Sequence, residues 1–237
     1  MQTPEQFTEK LKAALGANLK TVAIYGSAAV GDRTRKYSDI NLLIVVERAD
    51  TAVLKLVAPH SGAWVKDGNK PPVLVMENHI RRSQDVFPIE LSDIRDRHRI
   101  LHGDPASLTA IEVRPENLRR QLEFELRSKL LLLRQGFMEA TSRSGSIEDL
   151  MGRSLSSLAT LFRGVLRLLG ERAPSSTPQV IRSLETRVPI DAEAWEMVWR
   201  IRQGERLPRG MTSEQLFDRL MTGLQNAVNF IDAYSAS

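Results

Sequence analysis

Apolar residues follow two different patterns along this chain, and the change between them is the first architectural signal. Over roughly the first hundred residues the apolar runs are short and continuous. Thr21 to Tyr25 and Ile40 to Val46 are rich in isoleucine and valine and apolar almost throughout, which predicts strands covered on both faces. Val73 to Met76, entered through Gly68-Asn69 and Pro71-Pro72, and Phe87 to Leu91 read as two further strands. Helical spacing separates these runs. Thr3 is placed to cap a helix from Pro4, with Gln6 as its capping-box partner and Gly16 near its end. Phe7, Leu11, Ala14 and Leu15 then share one face. Asp50 is placed to cap a helix reaching about Ala58, and Asn78 a short one through Ile80 and Arg82.

From Pro115 onward the pattern becomes that of long helices. Pro115-Glu116 opens one, with an apolar stripe read through Leu118, Leu122, Phe124, Leu126, Leu130, Leu133 and Phe137. Ser142 to Ser146 is a loop, and Ser146 with Asp149 makes a capping-box-like start to the next helix. Met151, Leu155, Leu158, Leu161, Phe162, Val165 and Leu169 fill that helix until Gly170. Shorter helices around Gln179 to Arg187 and Ala192 to Gln203, then Ser213 to Tyr234, complete a bundle of about five. The expected class is α+β: a small mixed sheet with flanking helices over residues 1–108, followed by an all-α helical bundle over residues 109–237.

Composition narrows this picture only modestly. The 237 residues are 42% hydrophobic, enough for one large core or two modest ones. No run approaches a membrane span, and Met1-Gln2-Thr3-Pro4-Glu5 lacks the basic and apolar segments of a secretory leader. There is no cysteine, which excludes disulfides and thiolate metal sites and fits a cytoplasmic setting. The formal charge of +4 comes from 33 basic and 29 acidic residues. That excess suits a phosphate-bearing ligand but falls well short of a nucleic-acid footprint.

The chemistry concentrates where the first apolar run breaks. Val22-Ala23-Ile24-Tyr25 ends at Gly26-Ser27, a polar segment follows, and the second run opens as Ser38-Asp39-Ile40-Asn41. Gly26 lets the backbone approach phosphate oxygens, and Ser27 adds a hydroxyl donor. Asp39 stands at the start of the next strand, where a carboxylate can bind Mg²⁺. Alternation puts residues 39 and 41 on one side of that strand.

This pairing resembles the nucleotidyltransferase superfamily, which includes DNA polymerase beta and the aminoglycoside nucleotidyltransferases. The resemblance implies a nucleotidyltransferase-type sheet that binds ATP or another nucleoside triphosphate with Mg²⁺ and passes a nucleotidyl group to a hydroxyl acceptor, on a small molecule or a protein. It is specific over residues 20–103 and architectural beyond about residue 112. In the streptomycin-type adenylyltransferases of this superfamily, a strand glutamate supplies a third carboxylate. Glu90, in Phe87-Pro88-Ile89-Glu90-Leu91-Ser92, matches that position, with Asp93 as the fallback. Asp96 to Gly103 is similar to the polar helix and glycine that follow. The resemblance thus assigns Gly26 and Ser27 to the phosphates, Asp39, Asn41 and Glu90 to the metals, and Asp39 and Glu90 to catalysis.

One departure matters. The superfamily pattern is Asp-x-Asp, and here it is Asp39-Ile40-Asn41. An amide oxygen can ligate Mg²⁺ but brings no negative charge. The rival expectation is therefore a nucleotide-binding sensor or interaction module of the same fold, impaired in transfer. Arg97 and His102 match an Arg-x₄-His spacing found in helical ribonucleases, but a charged surface helix is the favoured reading of that stretch. Trp195 and Trp199 share a helical face, either to stack on a ring or, by preference, to fill a core. A homodimer is compatible with all of these readings.

Overall fold

The computed structural model describes residues 2–31, 40–142 and 146–234. The chain divides into two compact units between Val113 and Arg114.

In the first unit, α1 (Pro4–Leu15) leads into β1 (Leu19–Tyr25) and a 3-10 turn at Gly26–Ala29. Then come β2 (Asn41–Val46), α2 (Thr51–Lys66), β3 (Val73–Met76), α3 (Glu77–Arg82), α4 (Pro88–Asp96), β4 (His98–Gly103) and α5 (Ala106–Thr109). The four strands form one mixed sheet in the order β3-β2-β1-β4. β1 runs antiparallel to β2 and β4, whereas β3 lies parallel to β2 after the α2 crossover. The α1 start is as the sequence predicts: Thr3 accepts from the Gln6 backbone and Gln6 closes the capping box.

Alternation along β1 and β2 builds two cores. Val22, Ile24, Leu42, Ile44 and Val46 pack with Phe7 and Leu11 of α1 and Trp64 of α2. Ala23, Leu43 and Val45 pack on the opposite face with Ile80, Leu91 and Ile94 of α3 and α4. Each fully buried aliphatic side chain stabilises the unit by about 1.5–3 kcal/mol, which is why both strands are apolar on both faces. Asp50 caps α2 through the Val53 amide. That helix does not stop near Ala58 but runs through Pro59 to Lys66. Trp64 is completely buried there, packed against Phe7 and donating from Nε1 to the Lys70 carbonyl at 3.0 Å.

Two elements differ from expectation. Phe87 to Leu91 is not a strand: Pro88 occupies the first turn of α4, and Ile94 follows Leu91 at helical spacing into the core. Alternation over Ile89, Glu90 and Leu91 imitates a strand only because the window is short. Asp96 to Gly103 is not a surface helix, since β4 forms there as an edge strand beside β1. Edge strands tolerate charge, which hides them from a reading based on apolar runs. At its end Gly103 has φ +84, and a Cβ there would sit 1.8 Å from the Lys20 carbonyl oxygen. Only glycine lets the two backbones meet.

The second unit contains five helices among the described residues: α6 (Pro115–Ser142), α7 (Ile147–Leu168), α8 (Thr177–Glu185), α9 (Ala192–Arg202) and α10 (Ser213–Ala233). Ser146 caps α7 through the Asp149 amide. Met151, Leu155, Leu158, Phe162 and Val165 bury α7 among α6, α8, α9 and α10. Trp195 is fully buried edge-on to Phe162, a core residue rather than a stacking platform. Phe124 departs from the expected α6 stripe: it is 68% exposed, while Leu118, Leu122, Leu126, Leu130 and Leu133 are buried. Two residues beyond Leu122 is about 200° around a helix, so the two side chains face opposite ways. Among the described residues, no helix is long and apolar enough to cross a membrane.

Candidate functional site

The sequence-derived candidates meet at one end of the sheet, where β1 ends and β2 begins. Tyr25, the last residue of β1, lies opposite Asn41 on one side and His98 on the other. The chain then turns at Gly26, whose φ is +76, into the 3-10 turn that carries Ser27. The backbone conformation is one that other residues adopt only under strain. A Cβ on Gly26 would stand 3.3 Å from Nδ2 of Asn41. Gly26 and Asn41, fifteen positions apart in sequence, are thus direct neighbours. Asp39 lies outside the described residues.

The Gly26 amide does not point into open space. It donates to the Arg97 carbonyl at 2.9 Å, tying the turn to the start of β4. Ser27, half-buried, heads the turn, and its carbonyl accepts from Val30 at 3.4 Å.

Glu90 is an exposed residue of α4 instead of a strand residue. One helical turn later, Asp93 is buried, and its Oδ2 forms an ion pair with Nη1 of Arg97 at 3.3 Å. The Arg97 side chain is 5% exposed, and its Nε and Nη2 are buried without a hydrogen-bond partner among the described residues. Burial raises the Tyr25 phenol above its ordinary pKa, and the Asp93 carboxylate adds to that rise. His98 completes the group by donating from Nδ1 to the carbonyls of Ile94 at 2.9 Å and Arg95 at 3.1 Å. Those two carbonyls can only accept, so the Nδ1 side of the ring carries a proton.

Gly26, Ser27 and Asn41 therefore come together, and Asp93, Arg97, Tyr25 and His98 join them from elements whose type the sequence conceals. Arg97 was legible only as a surface charge. Its one distinguishing sign was the Asp93-Arg97 spacing, which on a helix brings the two side chains onto one face.

The donors described here do not suit a pair of divalent cations. Asn41 is neutral, and the negative charge of Asp93 is matched by Arg97. Among the described residues no group of three or more His, Asp or Glu side chains is placed to hold a metal ion. What the arrangement offers is a tight glycine turn, an amide, a hydroxyl and a buried cation.

No family model matches the chain, and no curated protein matches it. Among solved structures it is similar to the spectinomycin adenyltransferase AAD(9) from Enterococcus faecialis, crystallised with ATP and spectinomycin. The TM-score is 0.54 at 13% identity, covering 94% of this chain and 100% of that one. A nucleotidyltransferase-like protein from Exiguobacterium sibiricum is matched with a TM-score of 0.40 at 15% identity, over 95% of this chain and 74% of that one. At such identities the likeness is one of fold, and the chain has a nucleotidyltransferase-type fold: a small mixed sheet with flanking helices and a helical C-terminal part.

Proposed function

We propose that this protein binds a nucleoside triphosphate at the Gly26–Asn41 end of its sheet, and that transfer from that nucleotide is impaired. The observation that carries the reading is the direct apposition of Gly26 and Asn41. A turn only glycine adopts easily sits against the residue that replaces a metal-binding carboxylate in the Asp-x-Asp pattern. Gly26 gives phosphate oxygens close approach to the backbone, Ser27 contributes a hydroxyl, and Asn41 contributes an amide. The Arg97 carbonyl holds the turn in shape through the Gly26 amide. Asp93, compensated by Arg97, and Glu90, exposed on the outer side of a helix, are poor substitutes for a third strand carboxylate.

A second reading is favoured by one specific observation, the fold likeness spanning all of an adenyltransferase crystallised with ATP. In it, the chain is a Mg²⁺-dependent nucleotidyltransferase acting on a hydroxyl of a small molecule or a protein, with Asp39, Asn41 and Glu90 about the metals. Pyrophosphate release from ATP and GTP separates the two readings. The first expects none from the native protein across an acceptor panel, with release appearing in Asn41→Asp. Release from the native protein with any acceptor, abolished by Asp39→Ala, would establish the second and overturn the first.

A further inference from the structure

The exposed face of α6 carries a second pattern, independent of the sheet. Phe124, Leu131 and Met138 are 68%, 57% and 62% exposed and stand seven residues apart. Arg120, Arg127 and Arg134, also exposed, repeat with the same period between them. The six positions run Arg, Phe, Arg, Leu, Arg, Met at alternating spacings of four and three, the period of a helix that meets another helix. Over the nineteen residues from Arg120 to Met138 the stripe extends about 27 Å.

We infer that this stripe is a docking surface for a second copy of the chain, with the two α6 helices antiparallel and centred on Lys129. The argument is self-complementarity. Around a two-fold axis at that centre, Phe124 faces Arg134 of the other copy, Leu131 faces Arg127, and Met138 faces Arg120. Every apolar residue meets an arginine stem and no arginine meets an arginine. Phe124 and Arg134 can pair ring face to guanidinium, while the arginine heads reach solvent at the flanks. In the native chain Arg127 already turns its head aside, binding Glu123 and Asp232 at 3.3 and 2.8 Å. A parallel arrangement would stack arginine on arginine at three successive layers, which like-charge repulsion forbids. An isologous pairing of this kind closes on itself as a dimer. A single stripe about 27 Å long lies at the low end of specific interfaces, so the dimer is expected to be concentration-dependent.

Sedimentation velocity on the full chain across micromolar concentrations tests this, with circular dichroism confirming that each variant keeps its helix content. Native protein is expected to show a concentration-dependent dimer. Leu131→Arg, which sets arginine against Arg127, should weaken it by at least about tenfold. Leu131→Glu removes the same apolar surface but sets a carboxylate against Arg127, and should leave the dimer as tight as native or tighter. A monomer at every concentration, or a dimer indifferent to Leu131→Arg, would overturn the surface. Equal loss from both substitutions would overturn the antiparallel register.

Discussion

Two neighbouring regions of the sheet unit are built on opposite terms. The β1–β2 pair is apolar on both faces, with Val22, Ala23, Leu42 and Ile44 all fully buried between the helices on either side. The α4–β4 stretch sets an apolar face of α4 on the core and adds polar links, the buried Asp93–Arg97 pair and backbone contacts to β1. Burial of hydrocarbon fixes where β1 and β2 run, and so delivers Gly26 to Asn41. Electrostatics and hydrogen bonding fix what stands beside that junction: an arginine carbonyl on the Gly26 amide, and the matched Asp93–Arg97 ion pair. The first region brings Gly26 to Asn41, and the second sets the charge and hydrogen bonding beside them.

The largest effect should come from separating the ion pair. Arg97→Ala takes the Arg97 cation away from the Asp93 carboxylate, which is about 10% exposed. A loss of about 3–5 kcal/mol is expected in denaturant unfolding. A loss below about 1 kcal/mol would mean that the polar region is not organised by this pair. Matched truncations then sharpen the contrast. Ile44→Ala, in a fully buried central strand, should cost about 2–5 kcal/mol. Ile100→Ala, half-buried in the edge strand, should cost about 1 kcal/mol. Equal costs would erase the distinction between the two strands.

Gly26→Ala tests the junction itself. Positive φ and the approach to Asn41 should together cost about 1–2 kcal/mol and weaken nucleotide binding more than stability. The smallest effect is a titration. The Tyr25 phenol is raised by burial first and by Asp93 second, so the folded state resists ionisation that the unfolded chain accepts. The sign follows: this contribution to stability is complete below the ordinary tyrosine pKa of about 10 and is lost as pH rises through the higher folded value. Ultraviolet titration of Asp93→Asn against native protein should show the Tyr25 midpoint moving down, and an unmoved midpoint would remove Asp93 from that environment.

The same contrast explains what the sequence disclosed. The Thr3–Gln6 capping box, the Asp50 cap and the β1 and β2 runs are local signals, each set by residues within a few positions of one another. The Gly26–Asn41 meeting could be inferred because two continuous apolar runs had to pair. α4 and β4 depend on partners far along the chain. Ile94 shows a helix only once the core that receives it is known, and His98 to Gly103 form a strand only because β1 offers an open edge. Glu90 was legible as a carboxylate, yet its exposed place on a helix rather than a strand follows from Pro88 opening a turn there. Phe124 was misplaced for a simpler reason, since its apolar character says nothing about which side of α6 it occupies.

The most direct test of the account is calorimetric titration of ATP into the native protein and into Asn41→Asp, each with Mg²⁺ and with EDTA. The account predicts that native protein binds ATP with little dependence on Mg²⁺, and that Asn41→Asp acquires a marked Mg²⁺ dependence. No heat from native protein at millimolar ATP would contradict it, and would leave the nucleotidyltransferase-type fold as a scaffold without a nucleotide.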